Sequence, residues 1–177
     1  MRDLAELERT GTVRAVIRAP DPVLGTAGTL VDPTAVETLR LAGDLLATMR
    51  VSPGCVGLAA PQVGVSAQIF AADVTGHPKT RTCHGTVVLC NARVVEASQW
   101  QKGREGCMSV PDLTGDVKRA ARLVVVGFPP GAVEEIQITT DAFEARALQH
   151  EIDHCAGLLF LDRVAGAHAV YARKVYL

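Results

Sequence analysis

Apolar residues recur at helical spacing in two stretches of the chain. The first stretch, residues 35–49, carries a stripe of Val, Leu and Met side chains behind a Thr-x-x-Glu capping box. The second stretch is residues 142–156, where Asp141 can cap the start and Gly157 can end the helix in a left-handed turn. The patterns therefore predict two helices, and the first of them is ordinary core scaffold.

Short apolar runs, partly β-branched, surround these helices and predict strands. They lie at residues 13–17, 68–74, 85–90, 93–96, 123–127 and 134–139, the last two forming a hairpin around Pro-Pro-Gly. A block of strands followed by a helix packed on them favours the α+β class, with antiparallel or mixed strands around a central helix. Residues 1–12 are polar and are expected to be loosely held. Because no repeat or linker divides the chain, we predict a single domain over residues 1–177.

Composition argues against several classes of function. The 18 Lys and Arg residues are balanced by 19 Asp and Glu residues without a basic stretch, which argues against direct readout of nucleic acid. No run approaches the ~18 apolar residues of a membrane span, so no membrane partner is expected. The five cysteines are odd in number and form no C-x-x-C pair. That usage is typical of a cytoplasmic protein with free thiols.

The second predicted helix carries two histidines on one face. His150 and His154 are four residues apart, so both imidazoles can point at one ion, and Glu151 lies beside them. This is the H-E-x-x-H pattern of metal-dependent hydrolases, in which the carboxylate moves protons for the attacking water. A solvated or core histidine pair is the commoner cause of such spacing in general. The metal interpretation therefore needs a third ligand.

Four cysteines compete for that third place. Cys107 is favoured because Gly106 frees the backbone beside the thiol. Cys90 lies in a predicted strand, Cys55 in a glycine-rich loop, and Cys155 points roughly 100° away around the helix. Spacing alone leaves Cys107 as the favourite among several.

Three segments together resemble the motifs of peptide deformylases. They are Gly57-Leu-Ala-Ala-Pro-Gln62, Glu105-Gly-Cys-Met-Ser109 and Gln149-His-Glu-Ile-Asp-His154, in that order and at suitable distances. The first segment lies in a run of glycines and prolines that lets a ligand come close, although a tight turn explains that run equally well. The resemblance extends from about residue 13 to about residue 164. It implies the peptide deformylase fold.

The resemblance implies a metal site and a proton carrier. Cys107, His150 and His154 match the metal ligands, and Glu151 matches the catalytic acid and base. One divalent ion is implied, natively Fe²⁺, with Ni²⁺, Co²⁺ or Zn²⁺ able to replace it. Ligation by one sulfur and two nitrogens would by itself suggest zinc.

The remaining matched positions concern the substrate. Gln62 and the backbone N–H of Met108 match the groups that donate hydrogen bonds to the developing oxyanion. The positions expected to bind the substrate come from two segments: Val56, Gly57, Phe143 and Ala147. Phe143 and Ala147 share a helix face with the two histidines and would line a methionine pocket, unless Phe143 is a core residue.

The implied reaction removes the formyl group from the N-formylmethionyl end of a newly made chain and releases formate. The nascent peptide is thus the expected partner, with a transient encounter with the ribosome. Only residues 160–177 follow the motif helix region, which is short for the long C-terminal helix that some relatives dock on the ribosome. We therefore do not expect that contact here. Thr114 stands where many bacterial members hold the substrate backbone with an arginine, and Arg119 or Arg122 are candidates to replace it.

Two other functions compete with this reaction. A zinc peptidase would need a later third ligand, for which only Asp162 and His168 are candidates, and neither comes with the expected motif. A scaffold protein that keeps the metal without activity is the other alternative. All catalytic positions nevertheless carry the expected residue types.

Overall fold

Two long helices and one antiparallel sheet make up the fold. The structure is a computed structural model that describes residues 2–174. Its helices are α1 (Leu4–Thr10), α2 (Val36–Val51) and α3 (Ala142–Cys155), joined by short 3₁₀ turns. Within the described residues, no helix is long and apolar enough to cross a membrane.

Six strands of the described chain form one sheet. They are β1 (Gly57–Ala59), β2 (Ile69–Ala72), β3 (Val87–Cys107), β4 (Val110–Phe128), β5 (Ile136–Asp141) and β6 (Val170–Ala172). The strands run antiparallel in the order β1-β2-β3-β4-β5, and β6 pairs with Leu113–Gly115 near the start of β4. The α+β class expected from the sequence is confirmed.

The sheet is covered on both faces where β2 crosses the core. Because successive strand residues point to opposite faces, Ile69 packs in the α2 layer and Phe70 in the α3 layer. Leu45 anchors the α2 layer and Leu148 the α3 layer, and both are fully buried. Helix α3 is thus held between the sheet and the neighbouring turns, as expected of a central helix.

A long hairpin of β3 and β4 is the main feature that the sequence patterns did not predict. Its two strands pair from Cys90 opposite Phe128 to Cys107 opposite Val110, so that a two-residue turn closes it. Much of its middle, residues 93–104, is exposed, and no two-residue alternation marks it as a strand. The hairpin of β4 and β5 around Pro-Pro-Gly lies where it was predicted.

Four local expectations differ from the structure. The capping box of Thr34 and Glu37 does not form, because α2 begins after Ala35 and Thr34 Oγ1 donates to Asp32 instead. Residues 13–17 form no strand, because their backbone bonds go to side chains and turns; Arg14 N–H donates to Thr48 Oγ1 at 2.9 Å. Residues 1–12 were expected to be loose, but Leu4–Thr10 form α1, which packs on α2. Asp141 does not cap α3 with its side chain; its carboxylate instead accepts a hydrogen bond from the backbone of Thr82.

Candidate metal centre

One thiol and two imidazoles converge at the closed end of the long hairpin. The ligating atoms of Cys107, His150 and His154 all lie within 4.8 Å of one another. Cys107 Sγ is 3.2 Å from His154 Nε2, which is 3.2 Å from His150 Nε2. Strand β3 supplies the thiol at its last residue, and α3 supplies the imidazoles from consecutive turns. The spacing argument for the helix face is therefore matched by the geometry.

This donor set fits a divalent transition metal ion. A thiolate with two imidazoles suits zinc and iron, and three electron-pair donors can face each other this closely only with a proton or a cation among them. Burial, followed by the neighbouring His150, lowers the pKa of His154 well below its usual value, so its imidazole is neutral and has a lone pair to give. The described residues offer no other group of three His, Cys, Asp or Glu side chains arranged in this way.

Glu105 orients His150 from behind. One of its carboxylate oxygens lies 3.0 Å from His150 Nδ1, which leaves Nε2 to face Cys107 and His154. Burial raises the pKa of Glu105, but hydrogen bonds from His150 and Arg119 outweigh it and hold that pKa well below the usual range. Glu105 is therefore an ionised carboxylate that fixes the ring's orientation, an arrangement common behind metal-bound histidines.

A buried guanidinium ties this carboxylate to α3. Arg119 of β4 donates two parallel hydrogen bonds of 3.0 Å to Glu105 and a further one to Asp153. Arg163 adds 2.7 Å and 3.1 Å bonds to Asp153 from the segment after the helix. Because Glu105 and Asp153 are both paired in this way, the network holds α3 and β4 in one relative position.

Gln62 presents an amide N–H₂ group to the metal donors. Its Oε1 accepts a hydrogen bond from the backbone N–H of Ala59 at 3.0 Å, and its Nε2 lies 3.3 Å from both Cys107 Sγ and Ser109 Oγ. The bond from Ala59 fixes which end of the amide faces the site, since only the oxygen can accept it. Gln62 is 2% exposed, so this orientation is held by packing as well.

Glu151 is a buried carboxylate beside the donors. It is 3% exposed, and its Oε2 has no hydrogen-bond partner among the described residues. Burial raises the pKa of Glu151 to about 7, which is where a group that both takes and gives protons is most effective. The carboxylate packs against the bare Cα of Gly57, where a Cβ atom would overlap it.

A cavity of about 260 Å³ opens beside these groups. Gln62 and Met108 line this cavity. So do all four residues expected to bind the substrate, which are Val56, Gly57, Phe143 and Ala147. Phe143 is a cavity residue, and the ring of His77 stacks on it with centroids 3.6 Å apart. His77 was not singled out from the sequence, because a histidine in a polar connector gives no signal of its own.

The other three cysteines considered as ligands do not belong to the convergent donor group, although Cys55 lines the cavity beside it. Cys55 donates a 3.1 Å hydrogen bond to the carbonyl of Gly57, and burial raises the pKa of its thiol to about 12. Cys90 is buried in β3, and burial raises its thiol pKa to about 12 as well. Cys155 lies at the end of α3 in the layer of Leu148. The alternatives to Cys107 therefore behave as thiols of the core.

Glu105 and Arg119 are functional candidates that sequence reasoning missed or misplaced. Glu105 stands two residues before Cys107, and this strand spacing places both side chains on one buried face of β3. Arg119 was a candidate to hold the substrate backbone, but it is 4% exposed and its bonds go to buried carboxylates. Arg122 lies on β4 opposite Asp141 and outside this cavity. Neither arginine therefore lines the cavity that holds the expected substrate positions.

Comparison with known proteins agrees with this arrangement. The family model of polypeptide deformylases matches residues 13–169. A peptide deformylase from Halothermothrix orenii is 42% identical over 144 residues, which cover 81% of this chain and 88% of that protein. Peptide deformylase 1 of Vibrio vulnificus is 40% identical over 163 residues, covering 92% of each.

Solved structures give the same result. A class I type b peptide deformylase from Acinetobacter baumannii superposes with a TM-score of 0.79 at 31% identity, over 86% of this chain and 99% of that one. The enzyme from Thermotoga maritima gives 0.78 at 29% identity, over 88% and 99%. The chain therefore belongs to the polypeptide deformylase family, the metal-dependent hydrolases that remove the formyl group from the N-terminus of new proteins.

Proposed function

We propose that this chain performs the deformylation with Cys107, His150 and His154 holding one divalent ion. The observation that carries the proposal is the convergence of one thiol and two imidazoles beside a buried carboxylate whose Oε2 has no partner among residues 2–174. Cys107, His150 and Glu151 line a single cavity together with the positions expected to bind substrate. The substrate is the N-formylmethionyl end of a nascent peptide, and the products are formate and a free α-amino group.

The ion and Glu151 divide the chemistry of hydrolysis. When bound, a divalent ion lowers the pKa of a coordinated water from 15.7 to around 7 and polarises a carbonyl oxygen. Glu151 takes the proton of the attacking water and hands it to the substrate nitrogen as the C–N bond breaks. The amine then leaves as a neutral group, because the transferred proton spares it from departing as an amide anion.

Two hydrogen-bond donors serve the developing oxyanion. Gln62 is oriented with its Nε2 toward the donors, since Ala59 N–H holds its Oε1. The backbone N–H of Met108 belongs to the two-residue turn that follows Cys107 directly. Losing one such donor typically costs about 2.7–4 kcal/mol of barrier.

The methionine side chain of the substrate occupies the part of the cavity toward the start of α3. Phe143 and Ala147 present one helix face there, and the His77 ring covers Phe143. Val56 and Gly57 also line the cavity, from the segment that enters β1. An unbranched thioether suits a pocket with one aromatic wall, because sulfur interacts favourably with ring edges.

We further propose that the native ion is Fe²⁺, with Ni²⁺, Co²⁺ or Zn²⁺ able to take its place, and that the protein acts in the cytoplasm in transient encounters with ribosomes. The five free cysteines accord with a reducing compartment. Elemental analysis of protein purified without oxygen is expected to find iron. An iron–thiolate site should also lose activity faster in air than its nickel counterpart. Equal decay of the two forms would contradict this assignment.

The central test is formate release from formyl-Met-Ala-Ala by anaerobically prepared protein of known metal content. Glu151→Ala is expected to lower kcat by about 10²–10⁴ while the protein keeps its ion. Unblocked Met-Ala-Ala serves as the control peptide and should remain intact. Unchanged formate release by Glu151→Ala, or cleavage of the control peptide alone, would overturn the proposal.

A further inference from the structure

Three guanidinium groups line the cavity, and two of them pair with carboxylates of the protein. Arg146 donates to Glu105 Oε1 at 2.7 Å and to the carbonyls of Gln101 and Val117. Through these hydrogen bonds the guanidinium of Arg146 holds the hairpin of β3 and β4 against α3. Arg146 therefore has a structural partner for its charge.

Arg104 is engaged in the same way at the outer edge of the cavity. Its Nε donates to Asp116 Oδ1 at 2.7 Å, and its guanidinium lies 3.7 Å from the centre of the Tyr171 ring. Both contacts lie near the closed end of the hairpin, where β6 pairs with β4. Its charge is balanced by Asp116.

Arg173 is the third group, and it has no carboxylate partner among residues 2–174. The segment after β6 carries it to the cavity: β6 pairs with Leu113–Gly115 of β4, and Arg173 N–H then donates to the carbonyl of Asp112 at 2.8 Å. Its side chain reaches back over Gly106, whose missing Cβ leaves the room that Nη2 occupies. Within the part of the chain that the structure describes, the one polar contact of that side chain is a long one, 3.4 Å from Nη2 to the carbonyl of Cys107.

A half-buried guanidinium that lines the cavity and makes a single long hydrogen bond to residues 2–174 has further N–H groups with which to bind an oxygen acceptor. The formyl end of the substrate must reach Cys107 and Glu151, and Arg173 lines the same cavity, so the rest of the peptide can pass beside its guanidinium. Acceptors on the emerging peptide that do not depend on its sequence are its main-chain carbonyls.

We propose that Arg173 is a substrate-binding residue that donates hydrogen bonds to a main-chain carbonyl of the peptide beyond the formylmethionyl residue. The inference rests on the proposed function, since it assumes that the formyl group is placed at the metal donors. It assigns to the segment after β6 a part in recognising longer peptides independently of their side chains.

The test compares two substrates that differ in length, formyl-Met-Ala-Ala-amide and formyl-Met-amide, with each protein variant loaded with nickel. Amidated ends leave carbonyls as the acceptors. Arg173→Ala is expected to lower the ratio of kcat/KM for the longer over the shorter substrate by roughly tenfold or more, because a charged donor to a carbonyl contributes that much. The loss should appear in KM, and Arg173→Lys should restore part of it.

Lys174→Ala is the matched control, because it removes the same charge from the exposed neighbouring residue. It should leave the ratio unchanged. The inference would be overturned if Arg173→Ala left the ratio of kcat/KM for the longer over the shorter substrate unchanged. It would also be overturned if kcat fell equally for both substrates, because Arg173 would then only support the turn after Cys107. Failure of the unsubstituted protein to release formate from either substrate would instead overturn the proposed function.

Discussion

Side chains at the centre are fixed by groups that do not themselves face the metal donors. Glu105 fixes the orientation of the His150 ring, and the backbone N–H of Ala59 fixes that of the Gln62 amide. Gly57 leaves room for the carboxylate of Glu151. Each of these supports is a single hydrogen bond or a single missing methyl group. The site is consequently sensitive to small changes one layer outside it.

Gly57→Ala tests this sensitivity at β1. The added methyl group would overlap the carboxylate of Glu151, so that side chain must move away from its present position. We expect kcat to fall by about 10²-fold, since small misplacements of a catalytic group have costs of that order, while the bound metal stays at the same level. The measurement is formate release together with elemental analysis.

Gly25→Ala is the control for that substitution, because a Cβ at Gly25 meets nothing within 4 Å and the residue has no positive φ. It should behave as the unsubstituted protein does. Full activity in Gly57→Ala would show that the close approach of β1 to Glu151 is not needed for formate release.

Glu105→Gln tests the support behind His150. The amide keeps the shape of the side chain but loses the charge that Arg119 and Arg146 pair with, and it holds the ring less firmly. We expect metal affinity to fall about 10–100-fold, measured by competition with a chelator. Glu135→Gln removes an exposed carboxylate that pairs with Arg93, and it should keep the original affinity. Equal affinities in the two variants would contradict the role of Glu105.

At the scale of elements, the sequence predicted α2, α3 and the β4–β5 hairpin, because each has a periodic apolar face or a strong turn signal. It did not predict the middle of β3 and β4, since residues 93–104 are largely exposed and therefore carry no burial pattern. The motifs located the donors and Glu151. They gave no indication of Arg173, which reaches the cavity through a pairing of β6 with β4 that no local pattern encodes.

The N-terminal element offers a stability test that is separate from the reaction. Asp44 of α2 is 1% exposed and accepts hydrogen bonds from the backbone of Thr12 and from Arg14. Asp44→Ala leaves the Thr12 N–H without a partner, so we expect the free energy of unfolding to fall by about 1–3 kcal/mol. Urea denaturation followed by circular dichroism measures it.

Arg40→Ala on the exposed face of α2 is the comparison for that variant and should change stability little. Deformylation at room temperature should be normal in both proteins, because α1 and the following segment contribute no group to the cavity. An unchanged urea midpoint in Asp44→Ala would show that the tether of this segment is not stabilising.

For the whole molecule, an ion at the centre would join distant parts of the chain. Cys107 and His154 are 47 positions apart, and they belong to the hairpin and to the central helix. A ligand that binds the folded state and not the unfolded one stabilises it in proportion to the logarithm of its concentration. Metal content is thus expected to govern heat stability as well as activity.

Adding nickel to metal-depleted protein should raise Tm. At a free ion concentration of about 100 Kd the gain is about 2.7 kcal/mol, which corresponds to roughly 5–10 °C for a chain of this size. Cys107→Ala should lose this response, whereas Cys83→Ala, at an exposed cysteine, should keep it. Identical melting with and without nickel in the unsubstituted protein would argue against an ion shared by these elements.

The exposed middle of the long hairpin has a practical consequence. It carries Trp100, the single tryptophan of the chain, which is 55% accessible to solvent. The indole of the folded protein will therefore fluoresce as a solvent-exposed group. Its emission maximum will shift when a ligand or another surface covers the hairpin. Unfolding of the layers around α2 and α3 will leave that wavelength nearly unchanged.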